Sequence, residues 1–150
     1  MQTLSIDLSF NDPPDSGNVS GLGVASVIEA AARCGVTSLT MNLYGNTAVG
    51  SSITVIGNKF RNFKALQSLD LQFYVINPKD SAAGDAFASE FGSAVASMRS
   101  TLTHLSLDMS CNAVSDTGIA AMGAGANGSA HIHWACGARL QAYVPTRASF

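Results

Sequence analysis

The sequence predicts an α/β protein: a solenoid of about four strand–turn–helix units, with a parallel sheet on one side and helices on the other. Three observations predict it. One short apolar–polar pattern recurs four times along the 150 residues. Between its copies the apolar period changes from two residues to about 3.6. The copies start at residues 1, 36, 66 and 102, and these spacings of 35, 30 and 36 each leave room for a helical crossover between parallel strands.

The copies justify the strands. The first reads Met1-Gln2-Thr3-Leu4-Ser5-Ile6-Asp7-Leu8-Ser9-Phe10-Asn11, and the second Val36-Thr37-Ser38-Leu39-Thr40-Met41-Asn42-Leu43-Tyr44-Gly45-Asn46. The third runs from Leu66 to Asn77 with one extra residue before its Asn, and the fourth from Leu102 to Asn112. Alternate residues of a strand share a face. Leu4/Ile6/Leu8, Leu39/Met41/Leu43, Leu69/Leu71/Phe73 and Leu105/Leu107/Met109 therefore form a dry face over strands expected near 3–9, 38–44, 68–74 and 104–110. The intervening Thr, Ser, Asp, Asn, Gln, Tyr and His residues form a wet one.

The helices follow from the segments between. Val24, Val27, Ile28 and Ala31 recur at helical spacing, and Gly35 sits where a helix stops. Ile53, Ile56, Phe60 and Phe63 repeat that spacing, as do Phe87, Phe91, Val95 and Met98. Ser115-Asp116 caps a fourth segment bearing Ile119 and Met122. A unit this small cannot bury its apolar face alone, so stacked neighbours bury it jointly.

Each copy ends in Asn: Asn11, Asn46, Asn77 and Asn112. A side-chain amide turned into the coil can satisfy backbone groups of its own and the next turn. One such Asn reads as an exposed turn residue. Four in one column read as a structural ladder.

The pattern Leu-x-x-Leu-x-Leu-x-Leu/Met-x-x-Asn, with Asp116-Thr117-Gly118 opening the fourth helix, resembles the leucine-rich repeat family, in its long, helix-bearing, ribonuclease-inhibitor-like type. The resemblance covers residues 1–126 and leaves 127–150 as an irregular tail, with Gly123–Ala130 too glycine-rich for a stable helix. It implies a horseshoe arc with the sheet on its concave face, the helices on its convex face, and a partner bound through the sheet. Because Met1 already stands at the first position of a repeat, the chain reads as a fragment of a longer array.

Composition narrows the function. At 47% hydrophobic and 12% charged the chain is not a disordered tail. A net charge of -2 offers no basic patch for nucleic acid. No apolar run is long enough for a membrane span, and Met1–Asp7 is not a signal peptide. Cys34, Cys111 and Cys136, odd in number and widely spaced, read as reduced thiols with at least two buried, in a cytoplasmic monomer.

Other constellations are weaker. Gly21-Leu22-Gly23 lacks the third glycine of a phosphate loop and reads as helix-start packing. His131, His133 and Cys136 fall short of a zinc set, so neither metal nor cofactor is expected. His104, Ser106 and Asp108 share a flat face without a pocket, which argues against catalysis.

The expected function is protein binding through the concave polar face, on Asp7, Asn42, Tyr44, Asp70, Gln72, Tyr74, His104 and Asp108. Three aspartates favour a partner with a basic patch, and Tyr44 and Tyr74 supply aromatic anchors. The alternative is a GTPase-activating regulator of the Ran-activator type. That resemblance implies a positioned Arg or Asn at the sheet edge, yet Arg61, Arg99, Arg139 and Arg147 do not directly follow a strand of the repeat.

Overall fold

The computed structural model describes residues 2–11, 21–46, 49, 52–73, 81–110, 112–125, 131–134 and 139–143. Four strands lie parallel and in sequence order: β1 (Thr3–Asp7), β2 (Ser38–Asn42), β3 (Ser68–Gln72) and β4 (His104–Asp108). Their register matches the repeat residue for residue. Leu4, Leu39, Leu69 and Leu105 stand side by side, and so do Ile6, Met41, Leu71 and Leu107.

The same backbone contact recurs at every strand entrance. The Gln2 carbonyl accepts from Thr37 N (2.9 Å) and Ser38 N (3.1 Å), and the Thr37 carbonyl from Gln67 N (2.8 Å) and Ser68 N (3.1 Å). The Gln67 carbonyl does the same for Thr103 N and His104 N.

Helices α1 (Gly21–Arg33), α2 (Ile53–Lys59), α3 (Ser81–Ser97) and α4 (Asp116–Gly125) alternate with the strands, and each packs on the next. A 3-10 turn, Phe60–Asn62, extends α2 so that Ile53, Ile56, Phe60 and Phe63 are all buried. Gly35, at φ +69°, ends the first helical segment in the left-handed conformation that glycine adopts without strain.

The apolar residues of β2, β3 and β4 join the helical stripes in one core. Leu39, Met41, Leu43, Leu69, Leu71, Phe73 and Leu107 are fully enclosed, whereas Leu4, Ile6 and Leu8 of the first unit are only half-buried. Phe87 bridges the layers, lying 5.7 Å from Phe73 of the sheet side and 5.5 Å from Phe91 along its own helix. Val27, expected in the buried stripe of α1, is instead 38% exposed. Val24, Ala25, Ile28 and Ala31 form the stripe, and Val27 falls just outside it.

Three further expectations are corrected. The strands end two residues early, at Asp7, Asn42, Gln72 and Asp108, and at Asp7, Asn42 and Asp108 the side chain takes over the next turn (below). Second, α4 runs to Gly125 despite its glycines. Its packing on α3 uses glycine on both helices: a Cβ at Gly118 of α4 would lie 2.9 Å from Asp85 Cα, and one at Gly92 of α3 would lie 2.8 Å from Met122 Cα. Third, the C-terminal stretch is not irregular throughout. Strands β5 (His131–Trp134) and β6 (Arg139–Tyr143) form an antiparallel hairpin, and β6 pairs antiparallel with β4. The sheet therefore has six strands in the order β1-β2-β3-β4-β6-β5. The exposed hydrogen-bonding edge of β4 recruits them, a tertiary cause that a search for repeats does not detect.

Candidate functional site

The polar face of the sheet is laid out in rows by the register. Thr3, Ser38, Ser68 and His104 form one row. Ser5, Thr40, Asp70 and Ser106 form the next, and Asp7, Asn42, Gln72 and Asp108 the third. The hairpin extends the rows in register with Tyr143, Gln141 and Arg139. Ser106, 8% exposed, is the most enclosed polar residue of the four parallel strands.

The third row does two things at once. Asp7 Oδ1 accepts from Ser9 N (2.9 Å), Asn42 Oδ1 from Tyr44 N (3.0 Å), and Asp108 Oδ1 from Ser110 N (2.9 Å). Each side chain thus mimics a backbone turn and bends the chain off the sheet. Hydrogen bonds from the Ser9 hydroxyl, then from the Ser9 amide and the Asn42 side chain, hold the Asp7 carboxyl below the usual aspartate range. Three residues expected to serve a partner therefore first serve the fold.

Behind the turns stand the asparagines. Asn46 is fully buried, and its Nδ2 donates to the carbonyls of Leu8 (2.8 Å), Leu43 (3.0 Å) and Tyr44 (3.3 Å). Asn112 Nδ2 donates likewise to Phe73 and to Met109 (3.1 Å). The bridge reaches back to the preceding unit, not forward to the next as expected, because Leu8 and Phe73 are the residues whose carbonyls leave the strand pairing beside it. Asn11 is exposed and donates only to Ser9 O at 3.3 Å. Asn77 lies outside the described residues, as do Tyr74, Cys111 and Cys136. Cys34 is exposed.

Of the remaining candidates, Asp70, Gln72 and Tyr44 are half-buried and His104 is exposed. Sequence reasoning missed one residue. Phe10 is 72% exposed, holds a left-handed backbone at φ +55°, and packs edge-on against Tyr44 with ring centroids 4.5 Å apart. Its ring lies over Gly45, where a Cβ would come within 3.1 Å of Phe10 Cδ1. In the repeat alignment Phe10 falls in the Gly45 column, so nothing in the pattern flags it.

Charge on the opposite side is used between helices. Lys59 of α2 binds Glu29 of α1 at 2.7 Å, and Arg61 binds Glu90 of α3 at 2.6 Å. The Lys59 hydrogen bond and charge, aided by Arg33, hold the Glu29 carboxyl below its usual range. Asp85 of α3 accepts from the backbone N (2.8 Å) and hydroxyl (2.5 Å) of Ser115, whose Oγ in turn accepts from Thr117 N at the start of α4. These bonds, with one from Gly118 N, lower the Asp85 pKa. Each pair of neighbouring helices thus carries one polar staple. Opposite charges about one repeat apart are the sequence signal for two of them.

The chain matches no family model, no curated protein and no solved structure. What the site can do follows from its own shape and charge. Among the described residues no group of three or more His, Cys, Asp or Glu side chains is placed to hold a metal ion. No described helix is long and apolar enough to cross a membrane. The polar face presents side chains of hydrogen-bonding character in regular rows, in register across the four parallel strands.

Proposed function

We propose that the chain is a protein-interaction module, an arc of leucine-rich repeats that binds a partner carrying a basic patch through the polar face of its sheet. Charge segregation carries this reading. Asp7, Asp70 and Asp108 lie on the polar face of the four parallel strands, which hold no lysine or arginine, and Arg139 of β6 stands in register with Asp108. The cations with described side chains, Arg33, Lys59, Arg61, Lys64 and Arg99, lie in or just after the helices.

Two features support it. The residue-for-residue register, with the back-reaching asparagines, is what stacked repeats require. Six strands spaced ~4.8 Å apart give a face about 24 Å wide, closer to the 20–30 residues of an ordinary interface than four strands would be.

A charge-only variant tests the reading. Asn42 already forms the turn that Asp7 and Asp108 form, so Asp7→Asn and Asp108→Asn keep the turn and remove the charge. Combined with Asp70→Asn, they are expected to abolish capture of those partners that the wild type releases between ~0.1 and ~1 M salt, where the Debye length falls from about 10 to about 3 Å. Retention of every partner by the folded triple variant would falsify the acidic-face reading.

A further inference from the structure

We infer that Phe10 and Tyr44 form the anchor of this face, a platform for an arginine side chain of the partner. The inference rests on the proposed function and names the chemistry of its contact. Its starting point is the cost of the arrangement. A left-handed backbone is unfavourable for a bulky residue such as Phe, and a ring 72% exposed to water gains little from burial. A side chain held in strain and in water, against a neighbour that has no Cβ to obstruct it, is better explained by contact with a ligand than by contribution to the fold.

The surroundings select the ligand. Phe10 and Tyr44 present aromatic surface at the end of the strands, where the acidic third row lies. Asp7 stands three residues before Phe10. Its carboxylate is held ionised by Ser9, the residue next to Phe10, and by Asn42, two residues before Tyr44. An aromatic surface beside a fixed carboxylate is complementary to a guanidinium, which stacks on rings through its plane and hydrogen-bonds carboxylates through its edge. A lysine ammonium satisfies the charge but not the plane. An uncharged apolar segment satisfies the rings but leaves Asp7 without a counter-charge.

The test uses a fluorescein-labelled peptide of alternating glycine and arginine, with lysine and proline counterparts, and follows anisotropy. The arginine peptide is expected to bind the wild type more tightly than either counterpart. Phe10→Gly suits the left-handed φ, so it should leave the thermal midpoint unchanged or raised while weakening the arginine peptide about threefold to thirtyfold, the range of a cation–π contact. Phe10→Asn, which also tolerates that backbone, should weaken it equally. Binding of the arginine peptide that persists in both variants but is lost in the triple aspartate variant overturns the anchor and leaves the acidic-face reading standing. Equal affinity for the lysine or proline peptide, or no binding of the arginine peptide to wild type, overturns the anchor as well.

Discussion

Replacing Asn46 by alanine isolates the energetic role of the asparagine column. The amide nitrogen carries two hydrogens and serves three carbonyls, so the site amounts to two full bonds with the third acceptor sharing. Asn46 is fully enclosed, and its removal strands the Leu8 carbonyl in a dry corner, while the Leu43 carbonyl keeps the Asn46 backbone N (3.3 Å) and the Tyr44 carbonyl keeps Phe10 N (2.8 Å). A buried group left without its partner costs ~1–3 kcal/mol. One such carbonyl, with the other two weakened rather than orphaned, gives an expected loss of about 1–3 kcal/mol. That is a large share of the ~5–15 kcal/mol by which a domain is stable. Asn11 occupies the same column but is exposed and makes one 3.3 Å bond, so Asn11→Ala should cost less than ~0.5 kcal/mol.

Urea unfolding at neutral pH measures both, provided the slopes agree. A second substitution sharpens the comparison. In Asn46→Asp a carboxylate oxygen replaces the donor and faces three carbonyls, which raises the carboxyl pKa of the folded state above its unfolded value. A raised folded pKa adds stability below the unfolded pKa and loses it as pH rises through the folded one. The aspartate variant should therefore lie closest to wild type in acid and fall furthest behind at neutral pH, while the alanine deficit stays level. Losses within ~0.5 kcal/mol of each other for Asn46→Ala and Asn11→Ala would refute the reasoning, because the Leu8 carbonyl would then not depend on the amide.

Two further outcomes are expected. Asp85 has a folded pKa below the ordinary 3.8, so the stability it adds is present above that value and is lost as pH falls through the folded pKa; Asp85→Asn should unfold at lower temperature at neutral pH and show a flatter decline in acid, read by thermal melts across the acid range. Gly92→Ala pushes a methyl against Met122 of α4, and the overpacking should cost ~1–3 kcal/mol in chemical denaturation, whereas Gly123→Ala, with open space around it, should cost nothing.

The parallel sheet and its register were legible because a two-residue alternation fixes which face each side chain takes, and the four copies carry it without interruption. The ends of the strands were less legible. Alternation continues through Ser9 and Ser110, but Asp7 and Asp108 compete for the backbone, and a local hydrogen bond outweighs a pattern. Of the site, Tyr44 and the aspartates could be found from the repeat. Phe10 could not, since its importance comes from a φ angle and from the glycine opposite it. The staples between helices were hidden for a different reason. Glu29, Lys59, Arg61 and Glu90 look like ordinary surface charges until the fold sets them beside one another.

The hairpin at β4 and the half-buried strand at β1 are two responses to one physical problem. Every parallel strand added to this sheet needs a helical crossover, and every such helix brings a new apolar stripe that the next unit must cover. Stacking alone therefore never completes the core. An antiparallel hairpin satisfies the edge of β4 differently, because its two strands follow each other in the chain with no helix between them. β6 pairs the open edge of β4, and the outer edge on that side passes to β5. On the other side the apolar residues of β1 keep part of their surface in water, while their counterparts two strands inward keep none. The same motif positions thus carry different energies according to their neighbours, and it is the neighbours, not the motif, that make Asn46 a buried strut and Asn11 a surface turn.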